Sequence, residues 1–392
     1  MRKAVIVSAA RTPIGSFNGV LSSVPAIQLG SVAIGGALRK IELNGEEVDE
    51  VIMGNVLSSG LGQAPARQAS IGASLPNSVG CTTVNKVCGS GLKAVMMANQ
   101  AIVSGDAEVV VAGGMESMSN APYLLPKAGS GYRMGHGEIV DSMIRDGLWD
   151  VYNRFHMGEA AELCADTLGI SREEQDRFAS TSYRRALEAQ ERGNFRREIV
   201  SVIASQRDGA DRPIEEDEEP RRANLEKLPL LKPAFRDRGK VTAGNASSIS
   251  DGAAALVVMA EEKARALGAR SLARIVGYGS FATDPAWFTT APAPAISALL
   301  KKSRRAISDI DLFEINEAFA ACSIAVNRQL GLDPNKVNVR GGAVALGHPI
   351  GASGARILTT LIHALEDMNL STGVASLCIG GGEAVAMMVE RT

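Results

Sequence analysis

One cysteine, Cys88, is followed by glycines at a predicted turn between a strand and a helix. Residues 84–91 read VNKVCGSG, and the helical pattern of residues 92–103 comes directly after them. A cysteine at a helix N-terminus lies at the positive end of the helix dipole, which lowers the pKa of the thiol and favours the nucleophilic thiolate. The neighbouring glycines would let a substrate carbonyl approach backbone N–H groups that hold an oxyanion. This segment therefore indicates a nucleophile, although most cysteines are small buried hydrophobic residues.

Two further reactive side chains lie in glycine-rich segments near the C-terminus. His348 is one of four histidines and stands within residues 341–354, among five glycines. Cys378 ends a predicted strand and is followed by Ile379 and three glycines, a setting that offers exposure and free backbone N–H groups. A lone histidine is more often structural than catalytic, but its place in this glycine-rich loop makes an acid/base role as plausible as a structural one.

The remaining cysteines, Cys81, Cys164 and Cys322, lack such settings, and we interpret them as small buried residues. Cys88, Cys378 and His348 could instead bind zinc. Neither a Cys-x-x-Cys nor a His-x-x-x-His spacing is present, so we expect no metal. Five cysteines without regular spacing do not indicate a disulfide framework.

Apolar runs that predict buried strands alternate with helical patterns, an order typical of α/β layering. Strands are predicted over residues 4–7, 51–53, 109–111, 272–276 and 310–314, with 374–377 as the closing strand, and helices over 64–73, 92–103, 172–192, 319–330 and 357–365.

Three short segments recur in the same order in two parts of the chain. Residues 51–55 resemble 312–316, 88–92 resemble 351–355, and 111–116 resemble 379–383, with offsets of 261, 263 and 267 residues counted at Asn55, Cys88 and Glu116. Three matches in order predict a duplicated α/β half. We place the first half at 1–118, an inserted loop domain at 119–249, a return to the first half at 250–268 and the second half at 269–392.

The charge balance bears on the class of partner. The chain has 41 basic and 43 acidic residues, so neither nucleic acid nor an anionic membrane is expected as the main partner. Residues 4–10 are too short for the core of a signal peptide, and no apolar run approaches the roughly 20 residues that cross a bilayer. We therefore expect a cytoplasmic enzyme.

Four blocks resemble the active-site blocks of the thiolases. They are residues 84–91, Asn316-Glu317-Ala318-Phe319, residues 341–351 and residues 378–382. The resemblance extends over the whole chain from residues 4–13 onward. It implies two similar βαβαβαββ halves in a five-layer αβαβα arrangement, with an inserted loop domain that receives coenzyme A. It also implies reversible Claisen condensation of two acetyl-CoA molecules to acetoacetyl-CoA and CoA by a ping-pong mechanism, with no cofactor besides the coenzyme A thioesters that are its substrates.

The resemblance implies a role for each matching residue of the site. Cys88 takes the acyl group as a thioester, and His348 assists its deprotonation. Cys378 removes a proton from the methyl group of the second acetyl-CoA. Asn316, through a water, and His348 stabilise the enolate oxygen, while the backbone N–H groups of Cys88 and Gly380 hold the other oxyanion.

The coenzyme A contacts are also implied by the resemblance. His156 and Met157 resemble the segment that marks the short-chain, acetoacetyl-CoA type. The other matching positions are Leu148, Arg221, Phe235, Ala243, Ser247, Phe288, Ala318 and Phe319. Phe288 stands where bacterial biosynthetic members commonly have methionine, so 2-methylacetoacetyl-CoA is a further candidate substrate. The nucleotide contact is open between Arg221 and Arg222.

Alternative functions are weighed by the same residues. A broader-range 3-ketoacyl-CoA thiolase of fatty-acid β-oxidation remains an alternative. A decarboxylating ketoacyl synthase of the same superfamily would pair one cysteine with two histidines or with histidine and asparagine, which the second cysteine, Cys378, argues against. A non-catalytic acyl-CoA binding protein would be expected to lack one of the three reactive residues.

Residues 128–138 resemble the loop by which biosynthetic thiolases join two dimers, so a homotetramer is expected.

Overall fold

The computed structural model describes residues 2–206 and 208–392. Its strands are β1 Ala4–Arg11, β2 Gly15–Ser16, β3 Glu50–Gly54, β4 Gly80–Val84, β5 Val109–Ser117, β6 Tyr123–Leu124, β7 Val140–Asp141, β8 Trp149–Asp150, β9 Phe155–His156, β10 Val202–Ser205, β11 Asp211–Ile214, β12 Ser250–Ala260, β13 Ala273–Ala282, β14 Leu312–Ile315, β15 Thr372–Ile379 and β16 Glu383–Arg391. Its α-helices are α1 Ala26–Arg39, α2 Pro65–Gly72, α3 Ser90–Ser104, α4 Met157–Thr167, α5 Arg172–Glu191, α6 Glu219–Arg222, α7 Glu261–Ala266, α8 Pro292–Ser303, α9 Ala320–Leu330, α10 Ala343–Leu346 and α11 Ser353–Asp367.

The strands of the two halves join edge to edge. Their order is β14-β15-β16-β13-β1-β12-β5-β3-β4, with β2 paired to β12. The seam between the halves is short, because β1 pairs with β13 at Val5–Arg274 and Ile6–Ala273. Within the first half, β12 returns after the inserted region and pairs with both β1 and β5.

Helices cover both faces of each half-sheet. The central helices α3 and α11 contact each other and strands of both half-sheets, whereas α1 and α2 cover the outer face of the first half and α8 that of the second. Strand β12 shows why, since Leu256 and Val258 enter the central core while Val257 and Met259 enter the outer one. A strand that is apolar on both faces must be covered on both. The predicted five-layer αβαβα arrangement is confirmed.

The duplicated halves meet through their central helices. A Cβ atom on Gly91 would lie 2.8 Å from the Ala355 nitrogen, and one on Gly354 would lie 2.3 Å from the Leu92 nitrogen. The two contacts are reciprocal, because each glycine meets the counterpart of its own helix neighbour. Glycine at both places lets the N-terminal turns of α3 and α11 touch backbone to backbone.

Two details of the predicted repeat are wrong. Helices α3 and α11, and likewise strands β5 and β15, begin 263 residues apart, so β5 and β15 align four residues away from the predicted offset of 267. Met115 is therefore the counterpart of Cys378. The closing strand is β16 rather than residues 374–377, and β16 pairs between β13 and β15.

A buried ion pair cluster fastens the inserted region to β1. Arg11 donates to Glu198 at 2.6 Å and to both carboxylate oxygens of Asp217 at 2.7 and 2.8 Å. All three side chains are fully buried.

Within residues 2–206 and 208–392, none of the helices combines the length and apolar character needed to cross a membrane.

Candidate active site

Cys88 lies in the turn that joins β4 to α3. The Asn85 side chain accepts the N–H of Val87 at 2.9 Å and starts the turn. Val87 has a φ of 45°, a left-handed conformation that is costly for a β-branched residue. A Cβ atom on Gly89 would lie 2.4 Å from Cδ1 of Ile379, so glycine is needed there. The strained turn places the thiol at the N-terminus of α3, as the sequence predicts.

His348 lies between α10 and α11 in contact with two polar side chains. Its Nδ1 is 2.6 Å from Oγ of Ser353, and its Nε2 is 3.4 Å from Nδ2 of Asn316. Its backbone N–H donates to the Ser248 carbonyl at 3.1 Å. Gly347, with a φ of 103°, makes the turn that presents the ring. The loop therefore brings Asn316 and His348 together, although they are 32 residues apart in sequence.

Cys378 lies near the end of β15, beneath the site. Its side chain packs in an apolar cluster with Met157, Phe288 and Phe319, and 1% of the residue is exposed. The expected exposure of this thiol is wrong, because the cluster covers the strand end. Gly380 follows in the β15–β16 turn, and a Cβ atom there would lie 3.3 Å from Sδ of Met157.

Burial dominates the protonation of the two central groups. It raises the pKa of Cys88 to about 12, with the nearby Cys378 acting in the same direction, whereas backbone N–H groups of Gly380 and Cys88 donate to the sulfur and lower it. Burial, with Arg356 nearby, lowers the pKa of His348 to about 3. The expected low pKa of Cys88 is wrong, since burial outweighs the helix dipole. At neutral pH the pair is a thiol and a neutral imidazole.

Cys88, His348 and Gly380 face one cavity of about 520 Å³, a volume typical of small-molecule sites. Asn316 and Cys378 contact its lining from behind, through His348 and Met157 respectively. The predicted site residues that line the cavity are Cys88, Leu148, His156, Met157, Phe235, Ala243, Ser247, Phe288, Ala318, Phe319, His348 and Gly380.

Three rings form one wall of this cavity. His156 stacks on Phe235 with ring centroids 4.9 Å apart, and Phe235 meets Phe319 edge to face at 6.2 Å. His156 Nδ1 accepts the N–H of Gly158 at 3.1 Å, which fixes the ring at the start of α4. A Cβ atom on Gly158 would lie 2.2 Å from the Phe235 ring. The glycine after Met157 is therefore required by the wall, a role that sequence reasoning missed.

Arg221 lies outside the cavity lining. Its guanidinium pairs with Glu216 at 2.9 Å, and 60% of the side chain is exposed. Arg222 pairs with Glu218 at 2.9 Å. A nucleotide contact by either arginine stays a prediction. Glu219, from the same short helix, lines the cavity instead, and no sequence signal distinguished it.

A buried carboxylate that sequence reasoning missed, Glu116 on β5, connects the first half to the histidine loop. It accepts the N–H groups of Val56, Leu57 and Gly351 at 3.0, 3.1 and 2.9 Å. Burial raises its pKa to about 7. Gly351 lies between His348 and α11, so Glu116 helps to hold the loop that carries the imidazole.

Comparisons with known proteins agree with this geometry. The chain matches the family models "Thiolase, N-terminal domain" over residues 4–262 and "Thiolase, C-terminal domain" over residues 269–391. It is 52% identical over 392 residues to probable acetyl-CoA acyltransferases of Staphylococcus aureus strains COL and MSSA476, with 100% of each chain covered. The crystal structure of the Bacillus anthracis acetyl-CoA acetyltransferase is similar with a TM-score of 0.97 and 45% identity, over 100% of this chain and 99% of that chain.

Proposed function

The chain belongs to the thiolase family, and on this premise we propose that it is an acetyl-CoA C-acetyltransferase, which reversibly condenses two acetyl-CoA molecules to acetoacetyl-CoA and CoA. The observation that carries the proposal is that Cys88, His348 and the Gly380 backbone face one cavity, with Cys378 behind it. Relatives of similar length bear the names acetyl-CoA acyltransferase and acetyl-CoA acetyltransferase.

The first half-reaction transfers the acetyl group to Cys88. The neutral imidazole of His348 takes the thiol proton as the sulfur attacks the thioester carbonyl. The N–H groups of Gly380 and Cys88 donate to the Cys88 sulfur, and in this proposal they donate to the oxyanion that forms beside it. The intermediate collapses, the CoA thiolate leaves with the proton from His348, and acetyl-Cys88 remains.

The second half-reaction forms the carbon–carbon bond. Cys378 first gives its thiol proton to His348, and the Cys378 thiolate then takes a proton from the methyl group of the second acetyl-CoA. The enolate oxygen accepts hydrogen bonds from protonated His348 and from a water held by Asn316. The carbanion attacks acetyl-Cys88, and the Cys88 thiolate leaves and regains its proton from His348. Cys378 has then received one proton and donated one.

The apolar end of the cavity supports a short acyl group. Phe288 is 3% exposed and packs in one cluster with Met157, Ala318 and Phe319, so little space extends past the thiols. The alternative is a 3-ketoacyl-CoA thiolase that accepts longer chains. Cleavage of acetoacetyl-CoA, 2-methylacetoacetyl-CoA and 3-oxohexanoyl-CoA should be compared side by side. We expect kcat/KM for 3-oxohexanoyl-CoA to be at least about tenfold lower than for acetoacetyl-CoA, and equal values would favour the alternative.

The quaternary structure is part of the proposal. Residues 125–139, within the inserted loop domain that we assign to coenzyme A binding and assembly, form a continuous exposed stretch. Met134 is fully exposed, and Tyr132 and Ile139 are 41% and 66% exposed. Apolar side chains on such a loop are typical of a surface that a partner covers. We propose a homotetramer in which this loop joins two dimers.

A further inference from the structure

Two serines occupy equivalent first positions of the central helices. Ser90 begins α3 and Ser353 begins α11, 263 residues later. Both are fully buried. The duplicated fold therefore shows the same hydroxyl in two settings, one beside Cys88 and the other beside His348.

Ser90 shows how such a hydroxyl shares its single proton. Its Oγ accepts the backbone N–H of Lys86 at 2.8 Å, and an amide N–H can only donate. The hydroxyl proton therefore goes to the Val87 carbonyl, 2.7 Å away. At this helix position the serine donates backward to a carbonyl and accepts from an N–H.

Ser353 likewise lies between a backbone carbonyl and a nitrogen, which here belongs to the imidazole ring of His348. Its Oγ lies 2.9 Å from the Pro349 carbonyl, four residues back, an arrangement common for serine in helices. The same oxygen lies 2.6 Å from Nδ1 of His348. If Ser353 donates its hydroxyl proton to the Pro349 carbonyl, as Ser90 donates to the Val87 carbonyl, Oγ presents a lone pair to the imidazole. Two lone pairs would repel each other at 2.6 Å, so Nδ1 must carry a proton that it donates to Oγ.

From this pairing we propose that Ser353 is a positioning residue that holds His348 in the Nδ1–H tautomer. Nε2 then keeps its lone pair, which is the form able to take the Cys88 proton, and this catalytic consequence rests on the proposed function. When Nε2 takes that proton, the ring carries protons on both nitrogens and Ser353 still accepts from Nδ1–H. The ring therefore changes charge without changing its partner, a form of preorganisation.

The tautomer is measured directly by nitrogen-15 solid-state NMR of the full-length protein with labelled histidine. The chain has four histidines, and a His348→Asn variant identifies the signals of the missing ring. We expect Nδ1 to be protonated and Nε2 unprotonated near neutral pH in the wild type. The opposite tautomer would overturn the proposal. The measurement needs no substrate, so its result is independent of the proposed function.

Kinetics test the consequence. Ser353→Ala should slow the formation of acetyl-Cys88 by about 10- to 100-fold while KM for acetyl-CoA changes less than about twofold, because the hydroxyl orients the base and does not bind substrate. Ser353→Cys keeps the side-chain size and should retain part of the rate, since a thiol is a weak acceptor; it also serves if the alanine variant fails to fold.

The matched control is Ser323→Ala. Ser323 is buried on α9, and its Oγ has no hydrogen-bond partner among residues 2–206 and 208–392. We expect it to acylate at the wild-type rate. Acylation of Ser353→Ala within about twofold of the wild type would refute the positioning role. A wild type that forms no acetyl-Cys88 at all would refute the proposed function instead, and the NMR result would still decide the tautomer.

Discussion

Replacing Arg11 by methionine would break the cluster that fastens the inserted region to β1. The guanidinium donates to Glu198 and Asp217 and lies 5.0 Å from the ring of Phe195. Methionine approximates the length of the side chain but leaves two buried carboxylates without a cation. We expect this variant to lose far more stability than the removal of an exposed arginine.

The magnitude follows from burial. All three side chains are fully buried, and removing one partner from such a cluster costs about 3–5 kcal/mol, because the remaining charges lose their counter-ion. Burial raises the pKa of Glu198, but Arg11, together with His363 and Arg340, outweighs burial and holds that pKa below the ordinary value. A lowered pKa stabilises the fold above the unfolded-state pKa of about 4.3, and this stability is lost as pH falls through the folded value. The Arg11→Met variant should not show this loss of stability at low pH.

Urea unfolding followed by the fluorescence of the two tryptophans measures the difference. The control is Arg192→Met, whose pair with Glu188 is 71% and 57% exposed and should contribute less than about 0.5 kcal/mol. Adding Glu198→Gln and Asp217→Asn to Arg11→Met should recover part of the loss, since no charge then stays buried. A loss below about 1 kcal/mol for Arg11→Met would show that the cluster is hydrated or dispensable, and the reasoning would be wrong.

Four further outcomes are expected. Cys88→Ser should form no acetyl-enzyme detectable by mass spectrometry after mixing with acetyl-CoA; an acetyl adduct on the new serine, or on Cys378 in the wild type, would contradict the assignment. Cys378→Ala should still be acetylated at Cys88 but lose condensation and exchange of methyl protons with solvent by at least about 100-fold; normal exchange by NMR would rule Cys378 out as the base. Deleting residues 130–137 should convert a tetramer into an active dimer by light scattering, and a native dimer would contradict this. Gly158→Val should raise KM for acetyl-CoA by about tenfold or more by displacing Phe235, and an unchanged KM would show that the ring wall does not contact the substrate.

The location of the reactive residues could be predicted because each lies in a short segment whose conformation depends on its own sequence. Cys88 and His348 are each surrounded by glycines whose backbone conformations depend on a few neighbours, so the sequence carries the turn and its reactive side chain together. The family resemblance then predicted the partners that local patterns cannot connect, such as Asn316, which the structure places beside His348. The alternation of strands and helices was sufficient for the layered fold.

The properties that depend on three-dimensional packing could not be predicted. The thiol pKa of Cys88 is set by burial among residues of both halves, and a sequence shows only the helix that follows. Cys378 was expected to be exposed because a strand end usually is, yet side chains from α4 and from residues 285–290 cover it. Arg221 has the right charge for a nucleotide but pairs with Glu216, a choice decided by tertiary geometry. The alignment of β5 with β15 in the repeat was missed because both segments contain glycines, but the glycines have different roles in the two halves.

The reciprocal contact of Gly91 with Ala355 and of Gly354 with Leu92 has an evolutionary consequence. In a contact made by a two-fold axis, residue i of one copy meets residue j of the other, and j meets i. The central helices keep that relation although they now belong to one chain. We infer that the ancestor was a half-length protein that assembled as a symmetric pair with two identical clefts. After fusion the halves could diverge. One cleft kept Cys88 together with His348 and Cys378 of the opposite half. The other cleft, where Glu116 accepts the N–H of Gly351, became a structural contact between the halves.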